Sequence, residues 1–154
     1  MQWKPNVTVA AIARQGQRFL LVEENADGSA VFNQPAGHME EHESLVEAVK
    51  REVLEETAWQ FHPEFLTGIY LYPNPYNGIT YLRFCFFGEC NDYDENRKLD
   101  KEIIRTVWMT RDEIKSSETK LRSPLVLKSL DDYLSGNLYP LEILNNIFPD
   151  NMQL

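Results

Sequence analysis

Gly37-His38-Met39-Glu40-Glu41-His42-Glu43 and, after a further seven residues, Arg51-Glu52-Val53-Leu54-Glu55-Glu56 are the stretch on which the reading of this chain turns. From Ser44 to about Thr57, Val46, Val49 and Val53 recur three and four residues apart among good helix formers. That spacing predicts an amphipathic helix with the valines on its buried face. Glu52, Glu55 and Glu56 stand at i, i+3 and i+4 on the same helix, so their side chains share one flank. Like charges so placed repel by several tenths of a kcal/mol per pair, and a cation must offset that. A hard divalent ion takes oxygen ligands and shares them between carboxylates and phosphates, which suits the trio. Gly37, lacking a Cβ, lets the backbone come close to such an ion, and a carbonyl of Ala36 or Gly37 is a further candidate oxygen ligand. Glu43 sits favourably for the helix dipole and within reach of Arg51, as a structural pair. The competing explanation is a solvated acidic face, which requires neither the glycine nor the arginine at their positions.

Outward from this stretch the chain reads as strands. Val7 to Ala13 is apolar and β-branched and, after the turn Arg14-Gln15-Gly16-Gln17, Phe19 to Glu23 completes a hairpin. Val31 to Gln34 is a short third strand stopping at Pro35, and Pro63 closes the region after the helix. Phe65–Tyr72 and Ile79–Glu89 are predicted strands joined by Pro73-Asn74-Pro75-Tyr76-Asn77-Gly78. A polar connector runs from Asn91 to Lys101, and Ile103 to Met109 is a further strand. Thr110 with Glu113 has capping-box spacing, and Ser123-Pro124 opens a last helix that ends at Gly136. Strands on both sides of a central helix, with a later helix, predict an α/β protein with a mixed sheet between helices.

The 154 residues fit one domain, 1–154, with neither repeats nor a linker. The start lacks a signal-peptide core and no apolar run is long enough to span a membrane, so a soluble cytoplasmic protein is expected. Cys85 and Cys90 lack metal-ligand spacing and read as plain thiols. A net charge of −9 argues against stable nucleic-acid binding, and an acidic protein that handles phosphates does so through a bound metal.

The stretch resembles the Nudix box: glycine, five residues, Glu, seven residues, then Arg-Glu-apolar-any-Glu-Glu. Gly37, Glu43, Arg51, Glu52, Val53, Glu55 and Glu56 match it. Ala58 stands where the family has a second glycine, which predicts an altered helix exit. Residues 5–10, 33–38, 82–84, 121–126 and 139–142 look like a bacterial phosphatase branch of that family. The resemblance implies a Nudix fold, an α/β/α sandwich, in a monomer. It also implies Mg2+, with Mn2+ able to substitute, and phosphate release from nucleoside tri- and diphosphates, hydroxymethylpyrimidine diphosphate and thiamine diphosphate. Carried over residue by residue, Glu55 and Glu56 are metal ligands, Glu52 is ligand or general base, and the carbonyl of Ala36 or Gly37 completes the set. Glu102 resembles the extra acidic residue that many members place opposite the box as ligand or base.

Arg83 and Arg122 are candidate phosphate clamps, because a guanidinium holds phosphate oxygens in bidentate fashion; surface salt bridges explain them equally well. His38 and His42 lack partners at transition-metal spacing and read as polar loop residues, His38 being a candidate for substrate contact. In other branches a proline or tyrosine at the distance of Tyr70–Tyr76 past the box accompanies ADP-ribose or dinucleoside polyphosphate substrates, and both residue types occur here. Removal of pyrophosphate from RNA 5′ ends is disfavoured by the acidic balance. A non-catalytic nucleotide-sensing domain would require a broken carboxylate set.

Overall fold

The run Val9-Ala10-Ala11-Ile12-Ala13 is buried on both faces, and this dictates the layering. In the computed structural model, which describes residues 1–152, it forms the centre of β1 (Asn6–Gln15). Val9, Ala11 and Ala13 belong to one core, with Ala48, Val49 and Val53 of α1 (Leu45–Thr57). Ala10 and Ile12 belong to a second core, with Ile114 of α2 (Arg111–Ser116) and Val126 and Leu130 of α3 (Leu125–Leu134). Successive strand side chains point to opposite faces, so a strand covered on both sides reads as an unbroken apolar run. The result is the α/β/α sandwich expected from the sequence.

β1 runs parallel to β6 (Thr80–Asn91), from Asn6↔Tyr81 to Ala13↔Gly88. Its other edge pairs antiparallel with β4 (Ala36–His38) and then, at Arg14 and Gln15, with β2 (Arg18–Ala26). β2 in turn carries β3 (Ser29–Asn33) and β7 (Ile103–Thr110) on its two edges. β5 (Gln60–Pro73) pairs antiparallel with β6 and with the short β8 (Tyr139–Pro140). One parallel pair among antiparallel ones makes the sheet mixed.

Several local features depart from the sequence reading. Pro63 does not close the region: β5 begins at Gln60 and runs through it, with the register shifting just beyond Pro63. A proline, which cannot donate to the ladder, is tolerated at such a bulge. Its cross-strand partner is Gly88, where a Cβ would collide with the His62 carbonyl. β4 has no counterpart among the strands read from the sequence, since three residues are too few to show a period. Ser123 Oγ accepts from Leu125 N at 3.2 Å, but regular helix starts only at Leu125, with Pro124 rather than Ser123 at its cap position.

Ala58 ends α1, itself taking the left-handed conformation at φ 64° with its N–H donating to the Leu54 carbonyl. The strain of ~1–2 kcal/mol for an L-residue is opposed by ~0.8 kcal/mol for the buried methyl and ~0.4–1 kcal/mol of unfolded-state entropy relative to glycine. These cancel to within ~1 kcal/mol, so the turn survives without glycine.

Because β5 and β6 touch at Gly88 with no room for a side chain, Gly88→Ala should destabilise the protein by about 1–3 kcal/mol, the usual cost of overpacking. A fall in the urea midpoint at constant m-value would show it; an unchanged midpoint would mean the strands separate freely there.

Candidate active site

Val49, Glu52, Val53 and Glu56 form one i, i+3, i+4, i+7 stripe on α1, and that stripe is its buried face. Glu52 and Glu56 are each only 8% exposed, which rules out a solvated acidic surface. The helix is started by Ser44, whose Oγ accepts from Glu47 N at 3.1 Å.

Arg51 organises the outer side of the cluster. Its Nε and Nη2 donate to Glu43 at 3.0 and 2.8 Å, the expected structural pair, and Nη1 donates to Glu52 at 2.9 Å and Glu55 at 3.2 Å. Nη2 also reaches the His38 carbonyl at 3.0 Å, tying the helix to β4. These bonds lower the Glu43 pKa and raise that of Arg51. Gly37 packs directly on the Glu52 carboxylate, where a Cβ would overlap it. The glycine is thus explained by a carboxylate's approach to β4.

Glu56 lies deepest. Its Oε1 accepts from Ala36 N at 2.9 Å, and Arg51 makes no bond to it. Burial, reinforced by Glu24, Glu52 and Asp100, pushes its pKa up to about 9. Glu52 is also raised, by burial first, against the lowering effect of Arg51.

The sequence reading missed Asp100. The connector after β6 folds back over the end of α1, Asp94 N donating to the Ala58 carbonyl at 3.0 Å and Asp100 N to the Glu55 carbonyl at 3.1 Å. Both satisfy helix-end acceptors. The second bond sets the Asp100 carboxylate beside Glu52 and Glu55, one oxygen from each lying within 4.8 Å of the others. Opposite oxygens around Mg2+ are about 4.2 Å apart and around Ca2+ about 4.6–5.2 Å, so the set fits a hard divalent cation with little movement. Glu102 is not in this group: its carbonyl accepts from Asn25 N at 2.9 Å, and its side chain, 56% exposed, lies 3.9 Å from Lys101. In the run Leu99-Asp100-Lys101-Glu102 spacing alone does not choose between the two acids.

On the other side of Ala36 and Gly37 lies a cleft of about 230 Å³. Thr8 and Arg83, cross-strand partners on β1 and β6, line it together with His38, Tyr72 and Tyr81. Glu24, Asn33 and Arg122 also line it. Of the tyrosines noted in the sequence, Tyr70 is turned away to donate to Asp132 at 2.7 Å, and Tyr76 is exposed. Tyr72 faces the cleft, its cross-strand partner being Tyr81. Arg122 donates to Glu24 at 3.2 Å, whereas Arg83 is 6% exposed and no salt bridge among the described residues includes it. His42 is exposed beside Glu41. Cys85 and Cys90 are free.

Residues 3–129 match the NUDIX domain. The chain belongs to the Nudix family. It is 39% identical over 144 residues to Phosphatase NudJ of Escherichia coli strain K12, covering 94% of this chain and 93% of that protein. The Nudix hydrolase of Nitrosomonas europaea shares 50% identity and superposes with a TM-score of 0.92, covering 94% of this chain and 98% of that one. A UDP-X diphosphatase at 19% identity, TM-score 0.73, covering 91% of this chain and 68% of that one, shares the fold. The chain is therefore a Nudix hydrolase, and the box occupies the buried flank of α1 beside a cleft.

Between the ordinary 4.5 and about 9, metal-free folded protein keeps a proton on Glu56 that the unfolded chain has lost. Stability of the metal-free form must then fall as pH rises through that window. Glu56→Gln mimics the protonated carboxyl, so this variant should melt at or above wild type at the alkaline end and show a flatter pH profile. Melting curves with chelator check this; parallel profiles for the two proteins would contradict it.

Proposed function

We propose that this chain is a Mg2+-dependent phosphohydrolase, with Mn2+ able to substitute. Its substrates are nucleoside tri- and diphosphates and related small organic diphosphates, hydroxymethylpyrimidine and thiamine diphosphates among them, and orthophosphate is released. The observation that carries this reading is the adjacency of two unlike half-sites across Ala36 and Gly37. One is a carboxylate cluster in which Glu52 and Glu56 are buried, and the other a cleft holding a buried arginine and two tyrosines. The cleft's volume is below the ~300–1,000 Å³ usual for drug-sized ligands, which favours a single ring with its phosphates over a dinucleotide. Likeness to a NudJ phosphatase over most of both chains supports the same substrate class.

Glu52, Glu55, Glu56 and Asp100 would hold the cation, with a carbonyl of Ala36 or Gly37 completing the set. When bound, the cation offsets charge on the phosphate oxygens and lowers the pKa of a coordinated water. Arg51 holds Glu52 and Glu55 in register. Glu52 is assigned as proton acceptor, because it is in the cluster while the Glu102 side chain points to solvent. Arg83 and Arg122 contact phosphate, and His38 and Tyr72 contact the organic group, a ring that an aromatic face can stack. The protein acts as a single-domain cytoplasmic monomer, in keeping with its free thiols, and makes no stable complex with nucleic acid or membrane.

The direct test is a panel of nucleoside tri- and diphosphates, thiamine diphosphate, hydroxymethylpyrimidine diphosphate and ADP-ribose with Mg2+, assaying orthophosphate and pyrophosphate separately. Orthophosphate from several of them is expected; pyrophosphate alone, from triphosphates only, overturns the proposal. Glu52→Gln and Glu56→Gln should each lower kcat at least ~100-fold, the lower end for a lost acid–base group. Glu102→Gln should stay within about threefold of wild type on the same scale. A large loss in Glu102→Gln would move proton acceptance to that residue.

A further inference from the structure

Arg83 is buried and no salt bridge among the described residues includes it, although the charges of Glu24 and Glu56 act on it from a distance. Its Nη2 donates to Gln34 Oε1 at 2.9 Å and reaches Asn33 Oδ1 at 3.5 Å, and both acceptors are neutral amides. Its Nε is buried with no partner, and Nη1 makes no hydrogen bond among the described residues. Burial lowers its pKa, the sign of a charge held where water does not compensate it. A guanidinium does not deprotonate in a protein, so the charge stays and its desolvation is borne by the fold.

The nearest carboxylate on the cleft wall is kept away. Glu24 Oε1 accepts from Asn33 Nδ2 at 3.2 Å and from Arg122 Nη1 at 3.2 Å. Asn33 therefore stands between Glu24 and Arg83, giving its amide N–H to the acid and its oxygen to the arginine. Gln34 is fixed from behind: its Nε2 donates to Ser129 Oγ at 2.9 Å and to the Val126 carbonyl at 3.3 Å, both on α3. Gln34 is 2% and Ser129 0% exposed, so the orientation of Arg83 is set through the second core.

We propose that Arg83 is a phosphoryl receptor in the cleft that works without the metal, kept available by Asn33 and Gln34, whose amides stand where carboxylates would neutralise it. This rests on, and deepens, the phosphohydrolase reading: one phosphoryl group of the substrate is captured by Arg83, and Gln34 is its positioning residue. A guanidinium matches phosphoryl oxygens in bidentate fashion, and an anion arriving there relieves an unpaired buried charge. Sites built for binding are commonly less stable than their apolar or neutral replacements.

The probe is inorganic pyrophosphate, titrated in the presence of chelator into wild type, Arg83→Gln, Arg83→Lys and Gln34→Glu, with binding followed by calorimetry and by melting temperature. Wild type should bind and melt higher with pyrophosphate. Folded Arg83→Gln should bind at least tenfold more weakly while melting, ligand-free, no lower than wild type. Arg83→Lys should recover part of the binding. Gln34→Glu, which hands Arg83 a fixed counter-charge, should also weaken binding at least tenfold although the arginine remains; if that variant does not fold, Arg83→Gln decides. The inference is overturned if wild type shows no metal-free response, or if a folded Arg83→Gln or Gln34→Glu binds as wild type does. Mg2+-dependent hydrolysis by wild type is measured alongside. Hydrolysis without metal-free binding sinks this inference alone, and metal-free binding without hydrolysis of any substrate sinks the phosphohydrolase reading alone.

Discussion

Placing two carboxylates on the buried stripe of a helix is the constraint from which the rest of this structure follows. Glu52 and Glu56 occupy positions that an ordinary amphipathic helix fills with apolar residues, and burying charge without a partner is costly. Each neighbouring feature offsets that cost in a definite way. Arg51 neutralises Glu52 and Glu55 and is itself clamped by Glu43. Gly37 gives the Glu52 carboxylate room, and the Ala36 amide donates to Glu56. What remains uncompensated is Glu56, which in the metal-free protein keeps its proton to about 9. On the proposed function, a bound cation would do the work that the proton does in its absence.

The two halves of the site are complementary in sign. The carboxylate cluster holds more negative charge than Arg51 offsets, and the cleft beyond β4 contains a buried arginine that no salt bridge among the described residues includes. On the proposed function, a phosphorylated substrate lying across Ala36 and Gly37 would supply anions to Arg83 and, through the cation, to the cluster. That arrangement would let a chain of net charge −9 hold an anionic ligand. The favourable potential would be local, built from a buried arginine and a divalent cation, so the overall charge would not decide affinity.

Much of this was legible in the sequence wherever period or spacing carries physics. The apolar, β-branched run of β1 announced a strand, and the valine spacing of α1 indicated which flank faces the core. The box residues were readable because glycine, arginine and three glutamates at set intervals have one joint geometric meaning. Illegible were features made by tertiary contact. Asp100 enters the site because its amide caps the end of α1, and no local pattern distinguishes it from Glu102. The neutral surroundings of Arg83 depend on β3, the segment before β4, and α3 meeting in the second core. Pro63 read as a stop because the local rule for proline is right in isolation and is overridden by a bulge opposite Gly88.

The central claim is that a buried box carboxylate exchanges a proton for a divalent cation. Calorimetric titration of Mg2+ into metal-free protein at neutral pH, repeated in buffers of different ionisation enthalpy, counts the protons released directly. This account predicts release of about one proton per bound ion, with affinity rising as pH rises. Binding with an identical heat in every buffer and an affinity independent of pH would contradict it.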